Sequence, residues 1–167
     1  TRFVNPEVSY TTMFHKNGEQ RAFGKNVKEE KDSTWTYYNE KGELISTVDY
    51  LKGEKHGWEV TYFTPEQAAE KIPWQHGVKE GTWEQYFGTG QMKGTGTFKA
   101  GKWSGSVTFY HLNGKVHAKG EYQEGYKTGV WEYYDEEGNL ESTEWYEKGK
   151  LVKKEGGEDS EIKTWLE

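Results

Sequence analysis

Aromatic and small positions return along this chain at one fixed interval. The words Trp35-Thr36-Tyr37-Tyr38, Trp83-Glu84-Gln85-Tyr86, Val107-Thr108-Phe109-Tyr110 and Trp131-Glu132-Tyr133-Tyr134 share one frame, and the last aromatic of each word falls in a column at 14, 38, 62, 86, 110 and 134. A second aromatic column, Tyr50, Trp74, Phe98, Tyr122 and Tyr146, keeps the same 24-residue spacing. Glycines form three more columns: Gly53 to Gly149, Gly57 to Gly129, and Gly18 to Gly138, the last interrupted at Glu66. Self-similarity at a fixed period marks a repeat architecture in which each unit buries its apolar face only against its neighbours.

Each unit reads as a β-hairpin. Trp-x-Tyr-Tyr is a short β-prone run, and a polar turn with glycine follows, as in Asn39-Glu40-Lys41-Gly42. Glycine there supplies the left-handed residue that such a loop needs. A second run alternates, with Leu44, Ser46, Val48 and Tyr50 on one face, and Gly-x-x-x-Gly leads into the next unit. Six units predict an all-β, elongated single-layer antiparallel meander of about twelve strands, about 55–60 Å long at about 4.8 Å between strands. Small residues in the second strand, Ser46, Gly94, Gly96, Ala118, Gly120 and Ser142, offer beds over which rings from neighbouring strands lie.

The frame weakens in three places. Residues 1–33 read as a degenerate N-terminal cap, with Glu29 and Ser33 where glycines are expected, and residues 151–167, with Trp165, read as a C-terminal cap or tail. Regular repeats occupy 34–150, with a break at 58–74. Within the break, Thr64 as cap, Pro65 at the first helical position and Gln67 three after the cap predict a helical excursion near 65–72 that Pro73 ends. A loop substitution tolerated by the repeat is the plainer reading. As a partner-specific feature, the break makes Thr64, Glu66, Gln67 and Trp74 a second candidate patch.

The columns that vary between units hold the first candidate surface: Trp35, Tyr37, Trp83, Gln85, Phe109, Trp131 and Tyr133. Period-2 alternation puts them on the face opposite Tyr38, Tyr86 and Tyr134. They are either an exposed aromatic stripe with the character of a binding hot spot or the other half of a two-sided core.

Composition sharpens this picture. Leu, Ile, Val and Phe are only 26 of 167 residues, yet 8 Trp and 12 Tyr supply large rings, so the expected core is thin and aromatic. Without cysteine, disulfides, thiolate zinc sites and cysteine nucleophiles are excluded. A net charge of −6 argues against nucleic acid as the partner. No apolar run approaches a membrane span, so no membrane insertion is expected. The five histidines read as surface turn residues, and the 28 carboxylates recur as solvated positions without one distinguished pair. The expectation is a non-enzymatic chain with no metal and no cofactor. Thr1 is not an initiator Met, which leaves a removed export signal open and the compartment undecided between cytoplasm and periplasm or envelope.

The stretch NGKVHAKGEYQEGYKTGVWEYYDEEGNLESTEWYEKG, with its Gly/Trp/Tyr-Tyr/Gly spacing, resembles the bacterial MORN-repeat variant, also known as the YwqK-family antitoxin. The resemblance spans roughly residues 34–150 and departs at 58–74 and at both ends. It implies stacked hairpins acting in protein–protein contact, with an antitoxin- or immunity-like role. The partner expected is another protein, with a glycan or cell-envelope module using the Trp/Tyr stripe as the alternative, and edge-strand pairing into a homodimer as a further arrangement.

Overall fold

In the computed structural model, residues 2–5 are described as backbone and residues 7–157 in full. The C-terminal expectations at 158–167, including Trp165, lie outside the described residues. The chain forms β1 (Arg2–Asn5), β2 (Val8–Phe14), β3 (Gln20–Val27), β4 (Glu30–Tyr38), β5 (Leu44–Leu51), β6 (Glu54–Thr64), β7 (Gln67–Gln75) and β8 (Val78–Lys79). It continues as β9 (Gly81–Tyr86), β10 (Met92–Lys99), β11 (Lys102–Trp103), β12 (Gly105–Tyr110), β13 (Val116–Gln123), β14 (Tyr126–Tyr134), β15 (Leu140–Glu147) and β16 (Lys150–Gly156). All belong to one antiparallel sheet in chain order, with the short β8 and β11 pairing only β7 and β10. The repeat frame thus extends beyond the expected twelve strands. β2–β3 forms a full hairpin and β16 pairs along β15.

Two kinds of turn fix this order. Along one long edge, two-residue turns such as Ala100-Gly101 have both φ angles positive (49° and 81°), the type I′ geometry whose twist suits antiparallel strands. The amide of Gly101 also donates to the carbonyl of Lys79 one unit back, at 3.0 Å, and Gly53, Gly77, Gly125 and Gly149 repeat this bond. Along the other edge run five-residue loops, such as Asn39–Glu43, closed by a left-handed glycine. Residues 19–33 keep the frame because Glu29 (φ 68°) and Ser33 (φ 58°) adopt the left-handed backbone that glycine holds elsewhere.

The helical excursion expected near 65–72 is absent. Thr64 pairs with Gln67 across a turn at Pro65-Glu66, and Ala68, Lys71 and Pro73 pair with Tyr62, Val60 and Trp58. A two-turn helix is marginal by itself. Here strand edges on both sides offer hydrogen bonds throughout, and this pairing overrides local propensity. Pro73 is tolerated because β8 and β9 are interrupted beside it, so no ladder partner awaits the missing N–H.

The sheet builds its core without a second layer. Trp35 lies over Gly24, where an added Cβ would meet its ring at 2.2 Å, and Trp131 lies over Gly120 in the same way at 2.3 Å. Gly94 sits beneath Trp83 and Phe109, and Gly96 beneath Trp103 and Val107. The indole N–H groups bond the strand beneath: Trp35 donates to the Lys25 carbonyl (2.9 Å) and Trp131 to that of Glu121 (3.2 Å). The small positions therefore serve as ring beds.

Candidate binding surface

Strand register sorts the side chains onto two faces. Trp35 opposes Val48, Trp83 opposes Gly96, Val107 opposes Gly120 and Trp131 opposes Glu144, which makes one ring face. Of the two readings left open for this column, an exposed stripe or part of a core, the three tryptophans take the core one. Trp35, Trp83 and Trp131 are 1%, 3% and 1% exposed, because each ring lies against a neighbouring strand, Trp35 over Gly24, Trp131 over Gly120 and Trp83 against Gly94, rather than projecting outward. Tyr37, Gln85, Phe109 and Tyr133 share that face and are half-buried. Phe109 and Tyr133 pack on the cluster of Val107, Tyr122, Trp131 and Tyr146.

The second candidate patch is divided. Thr64 and Glu66 are exposed at the loop edge, where Gln67 donates its side-chain amide to the Gly88 carbonyl. Trp74 lies near the other end of β7, on the ring face, donating its indole N–H to Glu59 at 2.9 Å. The structure does not bring Trp74 together with the other three.

Sequence reading missed a third column on the ring face, Lys31, Lys55, Lys79, Trp103 and Lys127. It interleaves with the aromatic column 50/74/98/122/146 along the sheet. Lys31 lies 4.3 Å from the Trp35 ring centre and 4.8 Å from Tyr50. Lys55 lies 4.5 Å from Trp74, and Lys79 lies 5.0 Å from Phe98. Lys127 is 4.1 Å from Trp131 and 4.9 Å from Tyr146. At 103 an indole replaces the ammonium and packs between Phe98 (4.1 Å) and Tyr122 (5.7 Å). Cations over ring faces are attracted by the ring quadrupole, and the lysine stems cover apolar surface. The signal was the same 24-residue period, carried by a residue type that normally marks solvent.

The ring face also imposes a pH limit. Burial pushes the phenols of Tyr50, Tyr122 and Tyr133 upward, and burial with the Glu144 hydrogen bond takes Tyr146 to about 12. A phenol with a raised folded pKa keeps its proton longer in the folded chain. Above its ordinary value of about 10 the unfolded chain releases protons first, and stability falls as pH rises toward 12. Tyr146 alone contributes a loss on the order of 1–2 kcal/mol across that window. Lys127, held below its ordinary value chiefly by burial, opposes it as a single group. Thermal melts followed by near-ultraviolet circular dichroism are expected to show a falling Tm between pH 10 and 12. A flat profile there would show that these phenols ionise freely in the folded chain.

The opposite, tyrosine face is polar and differs between units. Lys71 pairs across strands with Glu84 (3.5 Å), which accepts from the Tyr86 hydroxyl (2.6 Å). Two units on, Lys119, Glu132 and Tyr134 repeat this at 2.9 and 3.0 Å. The intervening positions are threonines, Thr95 opposing Thr108. Hydrogen bonding to Tyr134 and Glu132 takes the Lys119 ammonium up to about 12, and the Lys119 bond lowers the Glu132 carboxyl. Trp58, 43% exposed, lies on this face opposite Pro73. Among the described residues, no group of three or more His, Cys, Asp or Glu side chains is placed to hold a metal ion.

Three consecutive units, residues 79–100, 103–124 and 127–144, match the MORN repeat variant. These are the fourth, fifth and sixth hairpins, where glycine columns, ring beds and type I′ turns are most regular. The MORN match makes the chain a β-hairpin repeat scaffold in this region. No curated protein matches the chain. Among solved structures, the chain is similar to S. aureus TarM in complex with fondaparinux, α-GlcNAc-glycerol and UDP, with 13% identity and a TM-score of 0.32. A second TarM crystal structure is similar at 15% identity and a TM-score of 0.31. In both cases 70% of this chain aligns with 18% of the other, and likeness at that level carries no argument.

Proposed function

We propose that this chain is a non-enzymatic scaffold that holds another protein on its tyrosine face. The observation that supports this is the division of labour between the two faces. The ring face is consumed by packing, whereas the tyrosine face presents side chains that the repeat does not need to keep constant: Thr36, Val60, Glu84, Thr108 and Glu132 occupy one equivalent position. Residues freed from packing are available for partner choice, and paired charges give such a surface specificity more than raw affinity. The finer reading, an antitoxin- or immunity-like scaffold, follows from the resemblance to the MORN-repeat variant and makes the partner a toxin. The glycan alternative rests on the Trp/Tyr stripe, where burial of Trp35, Trp83 and Trp131 leaves only half-buried rings such as Tyr37 and Tyr133 as stacking platforms, so the protein partner is the better-supported reading.

The repeat supplies its own neutral replacements. Trp58→Thr, Lys71→Thr and Glu84→Thr each install the residue that neighbouring units carry at the equivalent position. The triple variant is therefore expected to fold with a Tm near that of wild type and to lose a protein that wild type captures stoichiometrically from native lysate. Equal capture by both chains would move the site off this face, and no capture by wild type would sink the scaffold reading.

A further inference from the structure

The five-residue loops are fastened to one another in pairs. The first loop (15–19) reaches the second (39–43) through His15 Nε2 to the Tyr38 carbonyl (2.8 Å) and Asn17 Nδ2 to the Glu40 carbonyl (2.8 Å). Gln67 joins the third loop (63–67) to the fourth (87–91) at Gly88. His111, Asn113 and Lys115 join the fifth (111–115) to the sixth (135–139) and its flank, at the carbonyls of Tyr134, Glu136 and Glu137. Among the described residues, no such hydrogen bond or ion pair joins the second loop to the third. There the sheet edge opens into a groove of about 680 Å³ whose walls include Leu44, Ile45, Tyr62, Phe63 and Pro65.

Two features give the groove a chemical preference. Phe63 is 53% exposed and Ile45 43% exposed. At the position of Phe63, the first, second, fifth and sixth loops place the polar His15, Asn39, His111 and Asp135, and the fourth places Phe87, which is half-buried where Phe63 is exposed. The rim is acidic. Glu43 lines it, Glu40 and Glu66 follow the lining residues Asn39 and Pro65 in the chain with Lys41 beside Glu40, and among the described residues none of the three carboxylates enters an ion pair. Glu43 accepts from Asn39 Nδ2 at 2.7 Å and Glu66 from Thr64 at 3.4 Å, both within their own loops.

We infer that this groove receives one bulky apolar side chain of a partner protein, carried on a segment with lysine or arginine on either side. The apolar anchor fills the space between Ile45 and Phe63 and displaces water from them, as hot-spot residues do. The flanking cations meet Glu43 and the neighbouring carboxylates, which form no ion pair among the described residues. This inference rests on the protein-binding reading and adds the chemistry of the segment bound.

The test pans a phage library of random peptides against the full chain after depletion on Phe63→Asn, a variant that installs the residue the second loop already carries. The enriched consensus is expected to hold one Trp, Phe, Leu or Met flanked by Lys or Arg. Its synthetic peptide is expected to lose about tenfold in affinity on Phe63→Asn and about threefold on Glu43→Gln. No enrichment, an acidic consensus, or equal affinity for wild type and Phe63→Asn would overturn the inference. So would a wild-type dimer in sedimentation velocity that Phe63→Asn makes monomeric, since the occupant would then be a second copy. A lysate partner still captured by Phe63→Asn leaves the scaffold reading standing without the groove.

Discussion

Replacing Gly120 with alanine is expected to cost about 3 kcal/mol, and to do so only while Trp131 is present. A Cβ at 120 would stand 2.3 Å from the Trp131 ring, and that ring cannot simply slide away. Its indole N–H is tied to the Glu121 carbonyl, Tyr122 meets it edge-on at 5.2 Å, and Lys127 lies over it at 4.1 Å. Overpacking of this kind costs about 1–3 kcal/mol, and displacement of the ring adds part of the burial it loses. Trp131→Ala alone removes the largest fully buried side chain of the last hairpins and is expected to cost about 3–5 kcal/mol. In that background the new methyl at 120 enters vacated space. The Gly120→Ala penalty should then vanish or reverse by about 0.5 kcal/mol, because alanine loses less backbone entropy than glycine in a strand. Urea unfolding of the four proteins would give a coupling energy of about 3 kcal/mol, large for a contacting pair. Additive effects would mean that the ring does not rest on this glycine.

The same pair shows how far the sequence could be read. The 24-residue period, the glycine columns and the small residues beneath the rings all follow from patterns local to one unit, and the structure bears them out as type I′ turns, left-handed loop residues and ring beds. Face assignment was harder. Alternation placed Trp35, Trp83 and Trp131 together, but it cannot tell a ring that projects from one that lies down over Gly24, Gly94 or Gly120 in the strand beside it, because that choice depends on the neighbouring strand. Residues 64–73 misled for the converse reason. Thr-Pro-Glu-Gln carries a strong local helix-start signal, and pairing with β6 on one side and β9 on the other outweighs it. The lysine column at 31, 55, 79 and 127 was periodic in plain view. Its role appears only when strand pairing sets each ammonium over aromatic rings of its own strand or the next, or, for Lys79, between Trp74 and Phe98.

The unit that breaks the ring-face pattern chemically is the last, and removing its anomaly should have the other large effect. Where earlier units place Val48, Ile72, Gly96 and Gly120, the sixth places Glu144, 2% exposed and opposite Trp131. Its carboxylate accepts from the Tyr146 hydroxyl at 2.8 Å and lies 3.8 Å from Lys154 of β16. Glu144→Ala strands the Tyr146 hydroxyl and leaves Lys127 and Lys154 without their counter-charge. Breaking a buried pair costs about 3–5 kcal/mol, and because Lys154 is 28% exposed and can turn toward water, about 3 kcal/mol is expected here. The loss should be concentrated in the terminal strand, so amides of residues 150–156 should exchange faster than those of β4 and β5 in the same variant. Glu144→Val with Lys154→Thr, which removes both charges and restores the residue found at Val48, is expected to recover most of the stability. If it does while β16 still exchanges faster, the buried pair serves chiefly to fix register, since a one-residue slip of β16 would carry Lys154 to the tyrosine face and leave Glu144 unpaired. A Glu144→Ala protein within about 0.5 kcal/mol of wild type, the range of an ordinary surface substitution, would show that the carboxylate neither pins the strand nor balances the lysines.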